Sequence, residues 1–179
     1  MLIFQDIIKN DEFMSDIFPY TLEYDDVIMK VQSSYKPKDK IGDIDKIICN
    51  DNTFGGGENQ GGDDEPTENV NDVIYNANLQ PVTMSKKEFM AYIKDFFKKV
   101  VTYLEEHDKK DRVDTFKKGA TAFIKFIIPH FDDLELYTGS SHQEHEDVEG
   151  GIAIAYWEDE SAKGPVVYFF KDALREEKC

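Results

Sequence analysis

The sequence predicts an α+β fold, a mainly antiparallel β body interrupted by one inserted α-helical hairpin. Three observations carry that expectation. Two apolar stripes at helical spacing lie side by side in 85–128, separated by a short charged turn. Short segments that alternate apolar and polar residues flank them on both sides. No internal repeat and no regular strand–helix–strand alternation occurs, which argues against a parallel doubly wound sheet. The 179 residues read as one domain, and 40% hydrophobic with 13% aromatic content is enough to fill a core.

Taken in order, residues 1–48 read as short strands. Leu2 to Phe4 is a compact apolar run, Tyr20, Leu22 and Tyr24 alternate with polar neighbours, and Val27 to Val31 repeats the alternation. Lys36–Pro37–Lys38 then reads as a turn. Asn50 to Asn71 is rich in glycine and carboxylates and nearly devoid of apolar residues, so it is expected to form a flexible acidic loop. Strand signals resume at Val73–Ile74–Tyr75 and at Leu79 to Met84.

The hairpin follows. Ser85 and Glu88 have the spacing of a capping box, in which the serine oxygen accepts from a first-turn amide and the glutamate reaches back. Phe89, Ile93, Phe96, Phe97, Val100, Val101 and Leu104 make the first stripe. His107 to Lys110 interrupts it. Val113, Phe116, Ala120, Phe123, Ile124 and Ile127 make the second, which must stop near Pro129. Leu134 to Thr138, Ile152 to Trp157 and Val166 to Phe170 complete the strands. The β body is thus 1–84 with 130–179, and the hairpin is 85–128.

Charge is unevenly spread. The net charge is −16, yet the segment from Lys86 to Lys125 holds 11 of the 21 basic residues and 7 of the 37 acidic ones. It is net +4, against −20 for the rest. An acidic chain disfavours nucleic acid as a partner and is repelled by anionic membranes. The one basic surface suits acidic partners. Lys94, Lys98 and Lys99 lie opposite the first stripe, with Lys117, Lys118 and Lys125 on the second helix.

Other candidate chemistry is sparse. Two cysteines, Cys49 and Cys179, exclude a four-cysteine zinc site; Cys179 reads either as an accessible thiol that joins two otherwise monomeric chains by a disulfide under oxidising conditions or as a spectator thiol. His142, Glu144, His145, Glu146 and Asp147 lack the spacing of a metal-binding helix and read as a solvated loop. In the acidic loop, Asp63, Asp64 and Glu65 offer hard oxygen ligands for a weak Ca²⁺ site, although the EF-hand pattern is absent. No serine, cysteine or lysine sits in a nucleophile motif, so no enzyme class gains support. Asp11–Glu12 and Ser15–Asp16 cluster beside Phe13 and Met14, which look exposed; the cluster reads as a strand-capping turn or as a partner-binding edge. The N-terminus lacks the basic region and apolar core of a signal peptide, and no apolar run reaches membrane-spanning length. A cytosolic protein is expected, with any export by an unconventional route.

The segments MLIFQDII, DEFMSD, TMSKKEFMAYIKDFFKKV and GPVVYFFKDALREEKC together resemble the translationally controlled tumour protein family, also called histamine-releasing factor. Tyr92–Ile93–Lys94–Asp95, Phe169–Phe170–Lys171–Asp172 and Glu177–Lys178–Cys179 are the most specific parts. The resemblance implies a β-tent body with a projecting hairpin, similar to a small exchange-factor-like family that binds Rab GTPases. It implies a cytoplasmic, non-enzymatic protein that binds calcium, associates with tubulin through the hairpin and stabilises microtubules. It also implies binding of a Rheb-type small GTPase through the position of Glu12, anti-apoptotic activity and release from cells without a signal peptide. Three departures stand out: the family's Gly-Gly-Asn reads Asn50–Asp51–Asn52, its phosphorylatable serine reads Ile47, and its Gly-Glu after the hairpin reads Gly139–Ser140 before a His- and Glu-rich insert.

Overall fold

The computed structural model describes residues 2–37, 69–143 and 147–178. Eleven strands are described: β1 Leu2–Asp6, β2 Glu12–Ser15, β3 Tyr20–Glu23, β4 Ile28–Gln32, β5 Tyr35–Pro37, β6 Asn69–Asn71, β7 Gln80–Val82, β8 Glu135–Thr138, β9 Ala153–Tyr156, β10 Val166–Phe170 and β11 Leu174–Lys178. The helices are α1 Asp72–Asn76, α2 Lys86–Glu106 and α3 Asp111–Ile127. The strands form sheets ordered β11-β1-β2, β3-β4-β10-β9-β8-β7 and β5-β6. Every pairing is antiparallel.

The six-stranded sheet carries a core on each face, and its central strand shows why. All five residues of β10 are buried. Because side chains alternate across a strand, Tyr168 and Phe170 point one way and Val167 and Phe169 the other. The first pair joins Ile28, Leu136 and Ile154 in a core with the apolar stripes of α2 and α3. The second joins Met29, Val31, Ala153 and Ala155 in a core with Phe4, Phe13 and Met14 of the three-stranded sheet and with Val73 of α1. The layers are therefore hairpin, large sheet, and small sheet with α1.

The hairpin forms as its sequence requires. Ser85 Oγ accepts from the Glu88 amide at 3.1 Å, and Glu88 Oε1 accepts from the Ser85 amide at 3.3 Å. Phe89, Ile93, Phe96, Val100 and Leu104 are buried, as are Val113, Phe116, Ala120, Phe123, Ile124 and Ile127. After Ile127 the chain tightens into a 3-10 turn, Ile128–Asp133, with Pro129 in its first turn. Proline there forfeits no helical hydrogen bond.

Three expectations need correction. Val73–Ile74–Tyr75 is helical, because the Asn71 side chain accepts from the amides of Val73 and Ile74 and caps a helix start. Asn69–Asn71 is strand β6, although it reads as the end of the acidic loop, and it pairs with β5 where Lys36–Pro37 reads as a turn. Phe13 and Met14 are each 1% exposed, because β2 turns both toward the second core. The remainder of the acidic loop, with Ile47, Cys49, Asp63, Asp64 and Glu65, lies outside the described residues, as do Glu144, His145, Glu146 and Cys179.

Candidate functional site

Two surfaces contain the remaining candidate residues. The first is the corner between β1 and β2. Asp6 ends β1 and is buried. Its Oδ1 accepts from the Ile8 amide at 3.2 Å and its Oδ2 from the Lys9 amide at 3.0 Å. Its own amide bonds to the Asp11 carbonyl at 2.8 Å. The carboxylate thus folds the turn around itself. Burial raises its pKa; amide bonds from Gly151, Lys9 and Ile8 pull it back, and the Asp11 charge adds a smaller rise.

The corner is fastened to two other elements. A Cβ on Gly151 would stand 2.9 Å from Asp6 Oδ1, so only glycine lets the β8–β9 connection approach the carboxylate. The Gly151 carbonyl accepts from Thr138 Oγ1 at 2.7 Å, and that of Gly150 accepts from the Tyr92 hydroxyl on α2. Asp11 Oδ2 accepts from Ser141 Oγ at 2.6 Å and from the Ser141 amide at 3.3 Å. Glu12 begins β2, half-buried, opposite Gln5 at an irregularity in the pairing. Of the two readings of this acidic cluster, the turn exists but belongs to Asp6 and Asp11. The partner-binding edge lacks the apolar anchors that Phe13 and Met14 were expected to supply.

The second surface is the outer face of the hairpin. Lys94, Lys98 and Lys99 are exposed on α2, and Lys117, Lys118 and Lys125 are exposed on α3. Lys99 Nζ pairs with Asp95 at 3.3 Å, one helical turn earlier. Lys98 and Lys99 also border a shallow notch floored by Ile7, Ile8 and Tyr103. This places these six exposed lysines on two adjacent helices whose apolar faces are already occupied.

The hairpin is held at its tip by a residue that sequence reasoning passed over. Arg112 donates to both oxygens of Asp172, from Nε at 3.0 Å and from Nη2 at 2.8 Å. It donates further to the carbonyls of Asp25 and Asp26, at 3.1 and 3.4 Å. Its pKa is raised, chiefly by the hydrogen bond to Asp172. The turn it grips is unusual: Tyr24, Asp25 and Asp26 have φ of 55°, 57° and 66°, a left-handed run that non-glycine residues rarely adopt. Gly119 of α3 packs against the same turn, where a Cβ would lie 2.7 Å from the Tyr24 carbonyl oxygen. An arginine two residues into a helix carries no local signal for such a role. The bonds of Asp6 to Gly151 and of Tyr92 to Gly150 were equally invisible, because 145 and 58 residues separate the partners.

Among the described residues, no group of three or more His, Cys, Asp or Glu could hold a metal ion. Half-buried His142 sits in the loop beside Ser141 and Asp147. Among the described residues, no helix is long and apolar enough to cross a membrane.

The family described as translationally controlled tumour protein matches residues 1–175. A homologue of that protein from Candida albicans is 36% identical over 178 residues, covering 99% of both chains. One from Plasmodium yoelii yoelii is 36% identical over 183 residues, again with 99% of both chains covered. The solved structure of the tumour-associated protein p23fyp from Schizosaccharomyces pombe superposes with a TM-score of 0.73 at 30% identity over the whole of both chains. That of the Caenorhabditis elegans protein gives 0.64 at 27% identity, covering 100% of this chain and 99% of that one.

Proposed function

This chain belongs to the translationally controlled tumour protein family, and from that premise we propose that it acts by binding rather than by catalysis, as a cytoplasmic calcium- and microtubule-binding protein. The observation that supports tubulin as partner is the separation of the hairpin's two sides. Its apolar side is spent on the large sheet, while Lys94, Lys98, Lys99, Lys117 and Lys118 remain in solvent on an otherwise acidic molecule. Ammonium groups in that position meet an acidic protein surface by long-range attraction, which salt screens. Replacing Lys94, Lys98 and Lys99 with glutamate should reduce microtubule co-sedimentation about tenfold, about 1.4 kcal/mol spread over three reversed charges. Undiminished co-sedimentation would overturn the tubulin reading.

Calcium binding rests on Asp63, Asp64 and Glu65, since the described residues offer no ligand set of their own. Hard carboxylate oxygens suit Ca²⁺, and three adjacent acidic residues outside any EF-hand pattern make a weak site the expectation. A Ca²⁺ titration followed by residue-resolved NMR should move the amide signals of Asp63–Glu65 first. Movement confined to other residues would relocate the site.

A second reading makes the protein a regulator of a small GTPase through Glu12 and the β body. One observation favours it: Glu12 stands on β2, an edge of the three-stranded sheet, directly after a corner locked by Asp6 and Asp11. Its position is therefore settled before any partner arrives. Glu12→Lys should abolish GTPase binding and leave microtubule co-sedimentation intact. Loss of both together, or of neither, would refute this division of roles.

A further inference from the structure

On the sheet face turned away from the hairpin, two aromatic side chains are left in solvent although the fold supplies a core beside them. Trp157 follows β9 directly and continues the face of Ala153 and Ala155. Tyr35 opens β5. Their rings stack at 6.4 Å between centroids and 13° between planes, and they remain 37% and 46% exposed. Tyr35 is firmly placed. The residues on either side of Tyr35 are bound to the buried Asp72: the Ser34 amide and hydroxyl at 2.9 and 3.0 Å, and Lys36 Nζ at 3.1 Å. The neighbouring Ser33 hydroxyl donates to the Pro165 carbonyl and accepts from Asn71 Nδ2 at 2.8 Å. Tyr35 is thus held against the indole by a polar clamp, so little ordering remains to be done on binding.

Strand pairing sets one carboxylate beside the stack. Glu135 pairs with Ala155 across β8 and β9, two residues from Trp157 on the same face. That diagonal relation places it about 7 Å away. Its Oε2 accepts from the Tyr137 hydroxyl at 2.9 Å, which orients the carboxylate and leaves its other oxygen available. Glu158, Asp159 and Glu160 follow Trp157 and are exposed. Glu158 is engaged by Lys30 at 3.0 Å and by the Tyr168 hydroxyl, and Asp159 takes the Ser161 amide and hydroxyl, so Glu135 is the carboxylate best placed to receive a cation. Lys36, the cation beside Tyr35, is committed to Asp72 and does not compete for the ring.

We propose that Tyr35, Trp157 and Glu135 form a docking site for an arginine side chain carried by a basic segment of a protein partner. An indole face attracts a cation through its quadrupole, and a planar guanidinium can stack on it while donating to a carboxylate at the edge. A lysine ammonium satisfies only the charge. Exposed tryptophan and tyrosine anchors ringed by polar groups are also where binding energy concentrates in protein interfaces. The site lies on the opposite side of the large sheet from the lysine face and serves a partner of opposite charge.

The chain has one tryptophan, so its fluorescence reports on Trp157 alone. At about 0.15 M salt, where exposed charges act over only about 8 Å, tetra-arginine amide should quench that emission saturably. It should bind at least about fivefold more tightly than tetra-lysine amide, the margin expected of one added stacking contact. With fluorescently labelled tetra-arginine amide read by anisotropy, Trp157→Ala should weaken binding about tenfold and Trp157→Phe by less. Glu135→Gln should also weaken it, with circular dichroism confirming that each variant is folded. Equal affinity for the two peptides, unchanged binding by folded Trp157→Ala, or labelled peptide binding without quenching would each overturn the proposal and assign the attraction to general acidity.

Discussion

Asp6 and Lys98 illustrate two ways of carrying a charge. The Asp6 carboxylate is enclosed by backbone amides and by glycines that leave room for no side chain. The Lys98 ammonium stands in solvent at the rim of a notch. A charge of the first kind shapes the chain around it, and its removal is felt as instability. A charge of the second kind leaves the fold alone and is felt only by a partner. The corner and the hairpin face should therefore respond to mutation in opposite ways.

The largest expected effect is at the corner. Asp6→Ala leaves the Ile8, Lys9 and Gly151 amides without their acceptor and should cost about 3 kcal/mol, read by urea unfolding. A loss below about 1 kcal/mol would mean that the turn is held by its backbone alone. Next comes the hairpin tip. Arg112→Ala strips Asp172, only 9% exposed, of its bidentate partner. It also frees a left-handed turn, and should cost about 2 kcal/mol. Hydrogen exchange should rise at the tip of the hairpin before it rises elsewhere. Smallest is the lysine face, where changing Lys94, Lys98 and Lys99 to glutamate should shift stability by no more than about 0.5 kcal/mol. A large loss there would erase the distinction between the two regions.

Proton linkage sharpens the same contrast. Burial raises the folded-state pKa of Asp6 above its ordinary value of 3.8, so the folded chain holds this proton more tightly than the unfolded chain does. Its contribution to stability is complete below 3.8 and is lost as pH rises through the folded-state value. Asp6→Asn cannot titrate. The unfolding free energy of the parent minus that of Asp6→Asn should therefore fall as pH climbs from 3.8, then level off. A difference that rises over that interval would reverse the assignment.

How much of this was legible depended on whether the signal was local. The hairpin could be read because capping box, stripe and proline stop lie within a few residues of what they control. β10 could be read because burial on both faces leaves an unbroken apolar run. β11 could not, since four of its five residues are exposed and charged, a composition common on edge strands that discourage further pairing. Val73–Ile74–Tyr75 has β-branched and aromatic character, yet the Asn71 cap and the burial of Val73 against the small sheet made it helical. Among the candidate residues, the lysines were found because a polar face is periodic. The enclosure of Asp6 by Gly151, the grip of Arg112 and the Tyr35–Trp157 stack were not, because each joins residues far apart in the chain.

The pairing of β1 with β11 sets Leu2 directly opposite Lys178. Two antiparallel strands that end side by side could be joined by a linker of two to five residues without disturbing either. The chain is thus built to tolerate a closed backbone, with new ends opened at a surface turn elsewhere, as in a circular permutant.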